Sequence, residues 1–328
     1  MRVLVTGATG FLGKYVVEAF AKQNYDVIAF GRNEAAGRNL EAQNIKFING
    51  DFTDREQILQ ATKDVDIVIH AGALSTVWGK WSAFYNANVL GTQNVVSACL
   101  ENGVGRLVFV SSPSIYSSKH DRFNIEESDF DPTNDLNYYI KSKILAEKII
   151  REANAKGLYT VIIRPRGLFG VGDTSIFPRL IAANSKAGVP LINGGENIID
   201  VTYVENVALA LWLAATVENI NGEVFNITNG EPIKFKDILD EIFDKIGVKP
   251  KFLRLNFKAA YGIAIVLESL YRILPLRGEP LLTKYIACTL ATSQTLDISN
   301  AREKLGYKPQ YSITEGIDIY VNRRKNSN

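Results

Sequence analysis

The sequence predicts an α/β fold in which a doubly wound parallel sheet carries a smaller, mostly helical C-terminal cap. Two observations predict it. Over the first half of the 328 residues, short β-branched runs alternate with helical periods, the pattern of parallel strands joined by crossover helices. Beyond Pro165 that alternation stops and amphipathic helical stretches dominate. The core therefore reads as 1–165, with parts of 200–228 returning to it, and the substrate-binding cap as 166–328.

In order, strands are expected at 2–7, 26–31, 45–50, 66–71, 106–112 and 159–165, with helices at about 11–23, 54–62, 82–102 and 137–157 between them. In the cap, helices are expected near 175–187, 235–246, 257–274, 280–290 and 312–324, with a short strand near 223–227. Asp200, Glu205 and Asn206 read as helix caps rather than acids. The stretch "AAYGIAIVLESLYRILPL" (259–276) is interrupted by Glu268 and Arg272 at paired helical spacing. It does not span a membrane; it reads as a core or lid helix, or as a patch for peripheral membrane contact.

Composition narrows the function. A near balance of 37 basic and 35 acidic residues lacks the basic stripe that nucleic acid requires. Cys99 and Cys288 are far apart, and Met1 runs straight into the first strand, so a reducing, cytoplasmic setting is expected. With only His70 and His120, neither a histidine-ligated metal nor a histidine triad is expected; His70 reads as structural.

"VTGATGFLG" sets Gly7, Gly10 and Gly13 after a strand and at the start of a helix. Gly7 allows the turn, Gly10 lets backbone approach a pyrophosphate, and Gly13 lets the helix pack close to the sheet. The spacing, GxxGxxG, departs from the GxGxxG fingerprint, yet its place in the first βα unit is where a Rossmann fold binds a dinucleotide. Thr9, Phe11 and Leu12 of the turn, with Ala71, Gly72 and Pro165 at other strand ends, join the expected cofactor contacts. Arg32 stands at the end of the second strand, where an acid would accept from the ribose of NAD; a guanidinium favours the phosphate of NADP(H), with NAD(H) the alternative. Arg38 is a second cation for that phosphate. Asp51 is placed to accept from the adenine amino group, with Phe52 beside it, and Thr53 and Asp54 start the next helix.

Tyr139 and Lys143, in "NYYIKSKILAE" (137–147), are four apart and share a helix face. With 14 tyrosines, about one Tyr-x-x-x-Lys is expected by accident, so placement has to carry the argument. The motif follows the fifth strand, whose end "SSPS" brings hydroxyls to the same sheet edge as the glycine turn. A free phenol, with a pKa of about 10, is a poor proton donor near neutrality; a nearby ammonium would lower it. Tyr139 is thus the expected proton donor to a carbonyl oxygen, Lys143 tunes it and holds the nicotinamide ribose, and Ser112 bonds the oxygen.

"TGATGFLG", "DIVIHAGA", "NVLGTQNV", "VSSPSIY", "YIKSKILAE" and "IIRPRGLFG" together resemble, over essentially the whole chain, the extended short-chain dehydrogenase/reductases. That resemblance implies NAD(P) on a Rossmann domain, a Ser-Tyr-Lys site at Ser112, Tyr139 and Lys143, and a homodimer pairing the helices near 82–102 and 137–157. The serine that this family places four before a tyrosine, Tyr116 here, selects Ser112. The family's dehydratases carry Thr-Asp-Glu where this chain has "SPS". Its sugar-nucleotide enzymes carry an arginine clamp where this chain has Ile199. "STVWGKWSAF", "RPRGLFGVGD" and "NIIDVTYVENVA" look like the 3β-hydroxysteroid dehydrogenase-like branch, similar to bacterial 2-alkyl-3-oxoalkanoate reductases and more distantly to sterol-4α-carboxylate 3-dehydrogenases. The resemblance implies interconversion of a ketone and a secondary alcohol on an apolar 3-oxo or 3-hydroxy substrate. The alternatives are a nucleotide-sugar epimerase and a non-catalytic NADP sensor. Trp78 and Trp81, with Ser114, Arg179 and Tyr203, are the candidates on the substrate side, Arg179 for a carboxylate.

Overall fold

The computed structural model describes residues 1–326 apart from 187, 275 and 277. Aliphatic runs buried on both faces make the central strands. In chain order come β1 (Arg2–Thr6), α1 (Phe11–Lys22), β2 (Asp26–Gly31), α2 (Glu34–Arg38), β3 (Ile45–Asn49), α3 (Arg55–Ala61) and β4 (Ile67–His70). A helical segment of α4 (Trp81–Phe84), a π turn (Tyr85–Leu90) and α5 (Gly91–Glu101) leads to β5 (Arg106–Val110). Then follow β6 (Arg122–Ile125), α6 (Tyr138–Ala155) and β7 (Thr160–Pro165).

The second half contributes β8 (Leu168–Phe169), α7 (Phe177–Asn184), β9 (Val189–Ile192), β10 (Ile198–Ile199), β11 (Thr202–Tyr203), α8 (Val204–Thr216) and β12 (Val224–Ile227). It ends with β13 (Ile233–Lys234), α9 (Phe235–Lys245), β14 (Phe252–Leu255), α10 (Phe257–Ile273), α11 (Lys284–Ala291), β15 (Gln294–Leu296), α12 (Ser299–Lys304) and α13 (Ile313–Lys325).

Seven parallel strands form the main sheet in the order β12-β7-β5-β4-β1-β2-β3. Its order reverses between β1 and β4, the switch point at whose carboxyl edge open α/β sheets bind ligands. One face packs against α1 and α8 through Val16, Val17, Phe20, Val207 and Leu211. The other packs against α3, α5 and α6 through Ile58, Val95, Val96, Ala146 and Ile150. Both layers of a doubly wound fold are present. The cap has its own core, in which Phe169, Phe177, Tyr203, Ile238, Ile242 and Ile317 meet.

Several elements depart from the sequence reading. The helix implied by the caps read at 200–206 is α8, but it buries residues on nearly every side, so no amphipathic period marks its extent. Asp200 and Asn206 do not cap it: Asp200 accepts from the backbone of Leu296, and Asn206 ties α8 to Asn229 and Tyr311. The segment 122–125 pairs as β6 with β15 in a separate four-stranded sheet, and β12 pairs with β7 in the main sheet. The single helix expected at 82–102 is interrupted by the π turn. Within that turn Asn88 accepts from the backbone of Leu74 at 2.7 Å and donates to Ser142 at 2.9 Å, locking the loop after β4 to α6. Glu268 and Arg272 do pair on one face of α10, at 3.8 Å.

Candidate active site

The glycine turn is built for close backbone approach. Gly7 has φ of +69°, and a Cβ there would stand 2.7 Å from the Cα of Gly72, so the loops after β1 and β4 touch across the switch point. A Cβ on Gly13 would stand 2.1 Å from the carbonyl oxygen of Gly7, which fixes how near α1 comes to the sheet. Gly10 is the N-cap of α1, exposed and with no side chain capping the helix, so first-turn N–H groups remain for an anion. That donor set fits the pyrophosphate of a dinucleotide. Asp51 accepts from the backbone of Thr53 at 2.9 Å and lies 3.5 Å from the guanidinium of Arg32, while Asp54 caps α3. Phe52 packs edge-on to His70, which is buried between Thr6 and Thr92; burial pushes its imidazole down to about 3. His70 is structural.

The catalytic candidates converge at the end of β5. Asn137 caps α6 by accepting from the N–H of Ile140 at 2.8 Å, which sets the register of Tyr139 in the first turn. The hydroxyl of Ser112 faces the phenol of Tyr139 closely enough to favour its ionised form. Ser112 also caps the short 3₁₀ turn Pro113–Tyr116 and donates to Ser114 at 3.0 Å. Its neighbour Ser111 is turned inward to Glu147 at 2.6 Å, which leaves Ser112 as the hydroxyl facing the phenol. Lys143, only 2% exposed, donates to the carbonyl of Val110 at 2.7 Å and lies 4.4 Å over the ring of Phe109.

The electrostatics differ from the sequence expectation. Burial pushes the Tyr139 phenol up to about 12, offset in part by Ser112, and the Lys143 ammonium is drawn to Val110 rather than to the phenol. Burial also brings Lys143 down to about 7, against the pull of Glu147. The unfolded chain then holds a proton that the folded chain lacks between about pH 7 and the ordinary lysine value of about 10.4. Stability from this group is present above that window and is lost as the pH falls through it to about 7. Urea unfolding across the window gives a rising stability curve for the wild type and a flatter one for Lys143→Met. Parallel curves for the two proteins would refute this.

The remaining expectations fall unevenly. Trp78 stands edge-on to Tyr271 of α10, with Arg272 over its ring. Trp81 instead packs against Tyr138 and Lys141 on the outer side of α6. Tyr203 is not brought to the site: it is fully buried in the cap core, with its hydroxyl on Glu205. Ser114 is buried, and Arg179 pairs with Glu279 at 2.8 Å. Ile199 lies on β10, paired with Ile233 and Gln294. A cavity of about 490 Å³ between the 115–136 segment and Tyr261 and Lys284 of the cap contains none of Ser112, Tyr139 and Lys143. Sequence reasoning missed Glu147, Asn88, Arg166 and Tyr285; for Glu147 the signal was its position four after Lys143, on the same helix face.

The model of the NAD dependent epimerase/dehydratase family matches residues 3–228. This chain belongs to that family. A 2-alkyl-3-oxoalkanoate reductase of Stenotrophomonas maltophilia is 35% identical, the alignment covering 97% of each chain. A 4-hydroxy-2-methyl-3-oxo-4-farnesyl-3,4-dihydroquinoline-1-oxide ketoreductase of Stigmatella aurantiaca is 30% identical, over 97% of this chain and 95% of that one. The decarboxylating sterol-4-alpha-carboxylate 3-dehydrogenase of Mus musculus is 29% identical, over 97% and 89%. Among solved structures, MoeE5 in complex with UDP-glucuronic acid and NAD superposes with a TM-score of 0.79 over 100% of both chains at 24% identity. That likeness shows the fold alone.

Proposed function

We propose that this chain reduces the ketone of an apolar 3-oxo substrate to a secondary alcohol, or runs the reverse oxidation, with NADP(H) as its preferred cofactor. Coarsely, it is an NAD(P)-dependent oxidoreductase of the ketone/alcohol type. What supports the reading is the place of Ser112 and Tyr139 side by side at the end of β5, with Lys143 one helical turn further along α6 and bonded to the carbonyl of Val110, on the sheet edge that also carries the glycine turn. The nicotinamide, when bound, supplies the hydride. Tyr139 gives the proton to the carbonyl oxygen, Ser112 orients that oxygen, and Lys143 is the cation nearest this exchange. The similarity to 2-alkyl-3-oxoalkanoate reductases along almost the whole chain favours an acyclic 3-oxo compound over a sterol-like ring. Exposed Tyr85, Leu90, Leu100 and Tyr138 along the outer helices support a homodimer.

The cofactor preference rests on Arg32. It is 76% exposed at the end of β2, and its 3.5 Å contact with Asp51 is long enough to yield to a phosphate, whereas Arg38 is held by Glu34 at 2.6 Å. A screen of 3-oxo acids, 3-oxosteroids and UDP-hexoses with NADPH and NADH tests both parts. Reduction of 3-oxo acids is expected, faster with NADPH. Arg32→Ala is expected to lower kcat/KM for NADPH by roughly 10- to 100-fold and to change NADH little. UDP-hexose epimerisation without net cofactor change would sink the reading, and equal rates with both cofactors would sink the NADP(H) preference.

A further inference from the structure

We infer that Arg166 binds a free carboxylate of the substrate, so that the compound turned over is a 3-oxo or 3-hydroxy acid with an ionised acid group beside the reacting carbon, not its ester or thioester. This rests on the ketone/alcohol reading above and assigns the group that holds the other end of the reacting unit.

Arg166 directly follows β7, and its backbone is pinned on both sides: its N–H donates to Ile227 at 2.9 Å and its carbonyl accepts from Thr202. Val110 of β5 is in register with Ile163 of β7, so Arg166 leaves the sheet on the edge where Ser112 leaves β5. The residue is 7% exposed. A cation buried so deeply ordinarily sits on a carboxylate, as Arg164 does two residues earlier, at 2.6 and 2.8 Å from Glu147. Among the described residues, no carboxylate forms an ion pair with Arg166. The acid in its field is Asp200, whose carboxyl oxygen is already taken by the N–H of Leu296 at 2.7 Å, and whose burial holds it up at about 6.

Tyr285 of α11 acts on the charge of both Arg166 and the catalytic phenol. β5 and β7 are neighbours in the sheet, so the end of β7 that carries Arg166 stands beside the end of β5 that carries Ser112. Two neighbouring strands thus bring to one edge the hydroxyl that serves the carbonyl oxygen and a buried guanidinium with capacity to spare. The planar fork of a guanidinium matches a carboxylate through two parallel hydrogen bonds. In a 3-oxo acid the carboxylate is borne by the carbon adjacent to the ketone, so carboxylate and carbonyl stand in a 1,3 relation that two neighbouring strand ends can hold together. Arg179, the arginine singled out from sequence for this task, is instead exposed and paired with Glu279.

The test runs in the oxidative direction, where the substrates are stable. A 2-alkyl-3-hydroxy acid and its methyl ester are compared with NADP⁺ and NAD⁺, following formation of the reduced cofactor. The wild type is expected to prefer the acid by roughly 10- to 100-fold in kcat/KM. Arg166→Gln is expected to collapse that acid-to-ester ratio towards one, mostly through KM, and Arg166→Lys to restore part of it. A wild type that oxidises the ester as well as the acid overturns the assignment without any variant, even if Arg166→Gln fails to fold. An Arg166→Gln protein that loses acid and ester equally also overturns it, because the residue then serves only to balance Asp200. Turnover of neither compound with either cofactor refutes the proposed reaction itself, and this assignment with it.

Discussion

Tyr139→Phe loses turnover by about 10²- to 10⁴-fold while the chain keeps its fold and its cofactor. The aromatic ring remains to fill its place in the first turn of α6, so only the hydroxyl that meets Ser112 is removed. Single-turnover kinetics on a 3-oxo acid and NADPH titration by fluorescence separate the two readouts: kcat falls and the Kd for NADPH moves by no more than a few-fold. A non-catalytic NADP sensor requires the opposite, since its phenol does no chemistry. Unchanged turnover in this variant would therefore refute the assignment of Tyr139 as proton donor.

Glu147→Ala destabilises the fold by roughly 3–5 kcal/mol, a large share of the ~5–15 kcal/mol that holds a typical domain together. Glu147 is buried and accepts from Ser111 at 2.6 Å and from Arg164 at 2.8 and 2.6 Å. Its loss would leave the fully buried Arg164 guanidinium without its counter-charge, though still bonded to Tyr116 and to the carbonyl of Glu127. It would also release Ser111, which keeps the end of β5 in the orientation that presents Ser112. The double variant Glu147→Leu/Arg164→Met recovers most of the lost stability, because a buried ion pair replaced by apolar side chains of similar volume costs little. Denaturant unfolding of the three proteins checks both statements. A single variant within about 1 kcal/mol of wild type would refute the role given to the pair.

The same residues mark where sequence reasoning works and where it stops. β1 and β7 were legible because both faces of each are buried, which demands unbroken aliphatic runs that survive in any reading frame of the fold. For the same reason only the start of α8 was legible, where caps were read at 200–206; a helix buried on most sides carries no period that gives its extent. The five residues of α2 are too few to show one. The four-stranded sheet escaped because β6 and β15 are short strands that pair across more than half the chain, and pairing at that distance leaves no local trace.

In the site, the sequence by itself determined the chemistry that local geometry dictates. A glycine turn between strand and helix, a hydroxyl at a strand end, and Tyr139 one turn from Lys143 are each set by neighbours within a few residues, so their spacing alone reports them. Tertiary structure alone decided what depends on charges brought together from distant segments. It gave Arg179 a carboxylate and left Arg166 without an ion pair among the described residues; it sent Ser111 to Glu147 and set Ser112 beside Tyr139; and it sealed Tyr203 in a core of the second half. A side chain's chemical type is written in the sequence, but whether its charge is paired or available depends on which other groups the fold carries within a few ångströms of it.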